Sequence, residues 1–197
     1  DVQQQGTILP QNPIIVSQTL CEGTPIDPIV FDIGGSADAA FVTGLPSGLT
    51  SDVVLPLLPG PIVLTISGSP TSTGTFSYVV NTAGSTNGCN STDGGTITVN
   101  SNDLITELTP TTINQELCAN DTLAPISFDL GGGATGGDIQ FSPSQPAGIS
   151  WEISSNVLTI SGASAETGTF NYTVNSYGVC GTNTGFGGNI LIKENLT

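Results

Sequence analysis

Two stretches decide the fold: Thr73-Gly-Thr-Phe-Ser-Tyr-Val-Val-Asn81 and Thr167-Gly-Thr-Phe-Asn-Tyr-Thr-Val-Asn175. In each, large apolar side chains stand at every second position: Phe76, Tyr78 and Val80, then Phe170, Tyr172 and Val174. Successive side chains of a strand point to opposite faces, so this alternation reads as a β-strand with one face buried. The second message is their near-identity. The chain repeats itself, and other blocks repeat in the same order.

Working outward, Leu64-Thr-Ile-Ser-Gly68 returns as Leu158-Thr-Ile-Ser-Gly162. Upstream, Cys21-Glu-Gly-Thr-Pro-Ile-Asp-Pro-Ile-Val-Phe31-Asp-Ile-Gly-Gly35 returns as Cys118-Ala-Asn-Asp-Thr-Leu-Ala-Pro-Ile-Ser-Phe128-Asp-Leu-Gly-Gly132. Downstream, Cys89 corresponds to Cys180. Self-similarity at one long period marks a tandem array. The division expected is a tail at 1–13, module 1 at 14–100, a linker at 101–110 and module 2 at 111–197. Within module 1 the alternating segments fall at 14–20, 28–33, 39–43, 49–55, 62–67, 75–82 and 95–100, separated by Gly, Pro, Asn and Ser. About seven short strands at such spacing, with no helical period anywhere, predict an all-β chain of two Ig-like β-sandwiches.

Composition excludes much. The 197 residues hold 16 acidic side chains against one basic one, Lys193, for a formal charge of -15, and there is no His. One cation cannot neutralise a run of phosphates, which excludes nucleic acid as a partner. It equally excludes docking on an anionic bilayer. No apolar run reaches the ~18 residues of a membrane span, so no membrane insertion is expected. Without His there is no Ser-His-Asp nucleophile and no imidazole ligand for a metal. The opening Asp1-Val2-Gln3-Gln4-Gln5 lacks a basic start and an apolar stretch, which fits a mature secreted form.

Four cysteines allow three pairings. Only Cys21–Cys89 with Cys118–Cys180 puts one bridge into each module at matching positions, and that pairing is expected. Each bridge would stabilise its module by roughly 4 kcal/mol in the chain-entropy model, and disulfides imply an oxidising compartment outside the cytoplasm. No C-x-x-C pair exists, so zinc is not favoured.

The motifs Thr43-Gly-Leu-Pro-Ser-Gly-Leu49, Leu64-Thr-Ile-Ser-Gly-Ser-Pro70 and Thr73-Gly-Thr-Phe-Ser-Tyr-Val79 together resemble the Ig-like or PKD-like repeats of large bacterial surface proteins and adhesins. The leading Gln18-Thr-Leu-Cys21 and closing Gly95-Thr-Ile-Thr-Val-Asn100 are similar to versions common in the Bacteroidota. Module 2 keeps the turn at Pro146-Ala-Gly-Ile149 but has Ala163-Ser-Ala in place of Ser69-Pro70-Thr71. The resemblance implies spacers and adhesive stalks on a cell surface.

Candidate sites are few. Gly131-Gly-Gly133-Ala-Thr-Gly136 fits G-x-G-x-x-G, but Asp138-Ile-Gln-Phe141 after it reads as strand where a dinucleotide site needs a helix, so a hairpin is expected. Carboxylates are the conventional acid-base groups available: Asp27, Asp32, Asp38, Asp52, Asp121, Asp129, Asp138 and Glu152. Nothing in their spacing pairs two of them as a glycosidase requires. Asp32 and Asp129 each precede a Gly-Gly pair by one residue, the place for a carboxylate accepting backbone N–H bonds. Calcium suits oxygen ligands, and Asp103, Glu107 and Asp121 are the candidates for an ion between modules, although no D-x-D-x-D-G loop exists. No other cofactor is expected. Trp151 shares a period-2 face with Ile149 and Ile153 and reads as core before it reads as a sugar platform. Asn-x-Thr occurs at Asn90, Asn120, Asn171 and Asn195, and Asp121-Thr122-Leu123 resembles an O-glycosylation sequon with Thr122 as acceptor.

The function expected is that of a non-catalytic subunit of an extracellular filament or adhesin stalk. The alternative is a monomeric module whose loops bind surface glycans or another ligand. Copies of the chain are the expected partner. Residues 1–13 stand ahead of module 1 as the linker stands ahead of module 2. Their Val2, Thr7, Ile8 and Leu9 are expected to add as a strand to the open sheet edge of a neighbouring subunit.

Overall fold

The computed structural model describes residues 5–55, 60–84 and 89–195, the side chains of 182–184 apart. The chain is all β and divides into two units, 1–100 and 101–197. Unit 1 contains β1 (Thr7–Pro10), β2 (Gln18–Cys21), β3 (Ile29–Gly34), β4 (Ala39–Thr43), β5 (Leu49–Val54), β6 (Ile62–Gly68), β7 (Gly74–Ala83) and β8 (Thr92–Asn100). Unit 2 contains β9 (Asp103–Glu107), β10 (Gln115–Cys118), β11 (Thr122–Gly132), β12 (Ala134–Ser142), β13 (Ile149–Ser154), β14 (Val157–Ala163), β15 (Gly168–Gly178) and β16 (Gly181–Lys193). The sheets of unit 1 run β1-β3-β6-β5 and β2-β8-β7-β4; those of unit 2 run β9-β11-β14-β13 and β10-β16-β15-β12. The two orders are the same, strand for strand. Each unit is an Ig-like sandwich.

Burial follows the period-2 pattern. In unit 1 the inner face is Ile29, Phe31 and Ile33 from β3, Leu64 and Ile66 from β6, Tyr78 and Val80 from β7, and Ile97 and Val99 from β8. In unit 2 it is Phe128 and Leu130, Leu158 and Ile160, Tyr172 and Val174, and Ile190 and Ile192. At ~1.5–3 kcal/mol per fully buried large apolar side chain, each unit has a core of its own.

The structure corrects two expectations about the ends of the modules. Thr7, Ile8 and Leu9 do not stand free for a neighbour. They form β1, antiparallel to β3 of the same unit, with Thr7 opposite Gly34 and Pro10 opposite Phe31. Ile8 packs against the core of unit 1, and Val2 lies outside the described residues. Likewise the linker is largely strand. Residues 103–107 are β9, paired with β11 from Phe128 to Gly132. A segment of four or five alternating residues suffices because it completes a sheet that already has three strands. The strand expected over 14–20 is shorter, Gln18–Cys21, because the chain crosses from one sheet to the other at 11–17.

Candidate functional site

Two devices fix that crossing, and both occur in both units. The Tyr78 hydroxyl donates to the Val16 carbonyl at 2.8 Å; the Tyr172 hydroxyl donates to the Ile113 carbonyl at 2.7 Å. Opposite these tyrosines in the sheet stand Gly95 and Gly188. A Cβ at Gly95 would lie 2.0 Å from the Val16 oxygen and 2.9 Å from the Tyr78 hydroxyl. At Gly188 the same distances, to Ile113 and Tyr172, are 2.0 and 2.7 Å. Only glycine leaves room for the bond. The second device is an amide clamp. Gln18 Nε2 donates to the Ile15 and Asp27 carbonyls, and its Oε1 accepts from the Asp27 N–H. Gln115 does the same with Thr112 and with both backbone groups of Ala124. Burial pushes the Tyr78 phenol up to about 12, with the Asp93 charge adding to it. Tyr172 is pushed up further by burial and by Glu107.

The cysteines do not pair within modules. Cys21 and Cys180 are the disulfide-bonded cysteines, and Cys89 and Cys118 carry free thiols. The geometry of each sandwich explains why. β2 runs parallel to β8 and sets Cys21 beside Asn100, the last residue of that strand. Cys89 precedes Thr92, the first residue of β8. Eight residue-to-residue steps at ~3.3 Å each separate the two ends of β8 by about 26 Å, whereas a disulfide needs Cα atoms within about 7 Å. In unit 2, Cys118 lies beside Lys193 at the end of β16, and Cys180 immediately precedes its start. That strand is about 40 Å long on the same rise. Every module therefore carries one cysteine at each end. The leading end is where its first strand begins: the Gly6 N–H, just before β1, donates to the Cys89 carbonyl at 3.1 Å. In unit 2 a Cβ at Gly178, in the β15–β16 hairpin that holds Cys180, would lie 2.4 Å from the carboxylate of Asp103, the first residue of β9. The trailing end, where the last strand finishes, holds Cys21 or Cys118. Cys118 is exposed. It lines a recess of about 750 Å³ with Lys193, Glu194 and Asn195, beside the exposed Lys193–Glu116 ion pair.

The carboxylates are dispersed. Asp32 accepts from the Gln11 side-chain amide at 2.9 Å, a side-chain donor rather than the backbone one expected. Asp138 accepts from Asn175 at 2.7 Å, and Asp121 accepts from the Cys118 N–H at 3.2 Å. Among the described residues no three His, Cys, Asp or Glu side chains gather into a metal-binding group. Asp103 and Glu107 belong to β9, with Asp103 opposite Gly132 at one end of β11. Asp121 precedes the other end of that strand, about 30 Å away at the strand rise, so the three calcium candidates are not brought together. Gly131–Gly136 is a hairpin between β11 and β12, with strand where a nucleotide would need a helix. Trp151 is half-buried against the unit 2 core. Thr122 is exposed at the start of β11, and Asn90, Asn120, Asn171 and Asn195 are exposed as well. The tyrosine bond and the glutamine clamp were not anticipated. The signal for both was a side chain with a hydrogen-bonding group, Tyr78 and Tyr172 or Gln18 and Gln115, recurring at the same place in each repeat.

No protein-family model matches the sequence, and no curated protein is similar to it. Solved structures are. An I-band fragment of titin, I67-I69, aligns over 98% of this chain and 67% of its own length at 11% identity, with a TM-score of 0.57. An E-to-A variant of the same three Ig domains gives 0.57 at 10% identity, over 98% of this chain and 66% of that one. The likeness bears on the fold: consecutive Ig domains.

Proposed function

We propose that this chain is a non-catalytic structural module of an extracellular assembly, a link in a head-to-tail array of Ig-like sandwiches. One observation carries the reading. What the second repeat reproduces of the first is scaffolding, namely the tyrosine bond, its facing glycine, the glutamine clamp and a cysteine at each end. The side chains with acid-base or ligand chemistry are dispersed, and apart from Asp32 and Asp129, which share one slot, the carboxylates singled out differ between repeats. A binding or catalytic module would be expected to concentrate such groups in one place. The disulfide and the Ig-like fold are typical of extracellular domains, and low charge density leaves few ions to desolvate when subunits pack. The partner is then another copy of the chain. β1 pairs with β3 of its own sheet, so this reading does not rely on the N-terminal strand as the connector.

Electron microscopy of the purified protein under oxidising conditions tests this reading. Fibres or linear oligomers are expected. A monodisperse monomer at all concentrations, together with specific retention of one glycan class on an array, would replace it with the ligand-binding alternative.

A further inference from the structure

The glutamine clamp grips a different residue in each unit. In unit 2 it is Ala124, bound through its carbonyl and its N–H to Gln115. In unit 1 the same slot holds Asp27, bound in the same way to Gln18. Proline follows in both repeats, as Pro28 and Pro125. The clamp therefore works without a carboxyl group, and the one on Asp27 is an addition. Asp27-Pro28 is the sole Asp-Pro pair in the sequence, and both residues are exposed. The bond between them is held from both sides: the Ile26 N–H donates to the Gly68 carbonyl at 3.0 Å, and Ile29 opens β3 opposite Ile66. Its own carbonyl, that of Asp27, accepts from Gln18 Nε2 at 2.8 Å.

We propose that the Asp27–Pro28 peptide bond is a self-cleavage site, with the Asp27 carboxyl as nucleophile and the Gln18 amide as the donor that stabilises the oxyanion. The chain is its own substrate and each copy reacts once, so the reading goes beyond the array and does not depend on it. A carboxyl oxygen of Asp27 attacks the Asp27 backbone carbonyl carbon and closes a ring. Negative charge gathers on the carbonyl oxygen, where Gln18 Nε2 already donates. The carboxyl proton passes to the Pro28 nitrogen, the carbon–nitrogen bond breaks, and Pro28 leaves as a free secondary amine. Water then opens the resulting cyclic anhydride and leaves residue 27 with its side-chain and terminal carboxyl groups. Water is consumed, and nothing is oxidised or reduced. Proline suits the leaving position because it has no N–H. The competing attack of that nitrogen on the side-chain carboxyl, which diverts other Asp-X bonds to a succinimide, is therefore closed. The cut falls between β2 and β3. Residues 1–27 stay attached through β1 on β3 and β2 on β8, so strand pairing spans the break.

The test incubates the full chain in acetate buffer at about pH 4, where a model-peptide aspartate is about half neutral, with and without urea. Mass spectrometry reads the fragments 1–27 and 28–197 after reduction, which is needed because Cys21 is disulfide-bonded. The folded chain, checked by circular dichroism, should cut there about tenfold faster than the unfolded one, the worth of one hydrogen bond to the transition state. Asp27→Asn should abolish the cut. Ala124→Asp gives the second clamp a carboxyl group and should add a cut between residues 124 and 125. Gln18→Leu, checked as folded, should cut at the rate of the urea-treated chain. A folded wild-type chain that cuts no faster than the unfolded one overturns the inference. So does a folded Ala124→Asp chain that stays intact at that bond, an Asp27→Asn chain that still cuts, or a folded Gln18→Leu chain that cuts at the wild-type rate.

Discussion

Tyr78 and Tyr172 show how much one hydroxyl can organise. Each is buried in the sandwich yet places its oxygen on a backbone carbonyl about sixty residues upstream. Replacing Tyr78 with Phe leaves the Val16 carbonyl without its donor, which costs about 1–3 kcal/mol and lowers the melting temperature of module 1. Alkali reports on the same side chain. The Tyr78 pKa is raised above its ordinary 10 to about 12, so its stabilising protonated form is fully present below pH 10. The unfolded chain ionises first, and stability falls as pH rises from 10 to 12, by about 2 to 3 kcal/mol for this one group. Tyr78→Phe should melt lower at neutral pH but lose less between pH 10 and 12. A fall as steep as wild type's would show that another group sets the alkaline limit. The facing glycine is equally demanding. Gly188→Ala drives a methyl group against the Ile113 carbonyl and should destabilise module 2 by more than about 2 kcal/mol, read as a drop in denaturation midpoint with module 1 unaffected.

At the scale of elements, most strands were legible because alternation is a local signal. Phe76-Ser-Tyr-Val-Val and its repeat declare both the strand and its buried face, and β4 forms over the residues expected. β1 was not legible. Thr7-Ile-Leu-Pro carries little pattern, and what recruits it is the unpaired edge of β3, a feature of the finished sheet. The cysteine pairing failed for a related reason. Pairing within a module obeys the repeat, but the parallel direction of β2 on β8 sets the two cysteines of a module at opposite ends of the sandwich, and direction is invisible in a one-dimensional pattern. That pairing would have made reductant melt each module. The structure predicts otherwise: residues 1–100 expressed alone should melt at the same temperature with and without reductant. Deleting residues 1–10, by contrast, strips β1 from β3 and removes Ile8 from the core. Calorimetry should then show the module 1 transition several degrees lower and the module 2 transition in place. Two unmoved transitions would mean that β1 contributes nothing to its sheet.

For the whole molecule, the parallel pairing of β2 with β8, and of β10 with β16, has a consequence for behaviour under tension. Stretch a module by its two ends, and once β1 has parted from β3 the chain draws β2 back from its Gln18 side and β8 forward from its Asn100 side. Parallel neighbours drawn in opposite senses slide along each other, so the four paired positions from Gln18–Ile97 to Cys21–Asn100 resist together in shear. Antiparallel neighbours gripped at one end would unzip one bond at a time. Held this way, a sandwich without an internal crosslink should still yield abruptly, in one rupture per module, when stretched in a single-molecule force measurement. Replacing Leu20 with Pro, which takes one backbone donor out of β2, should lower that rupture force more than it lowers the melting temperature.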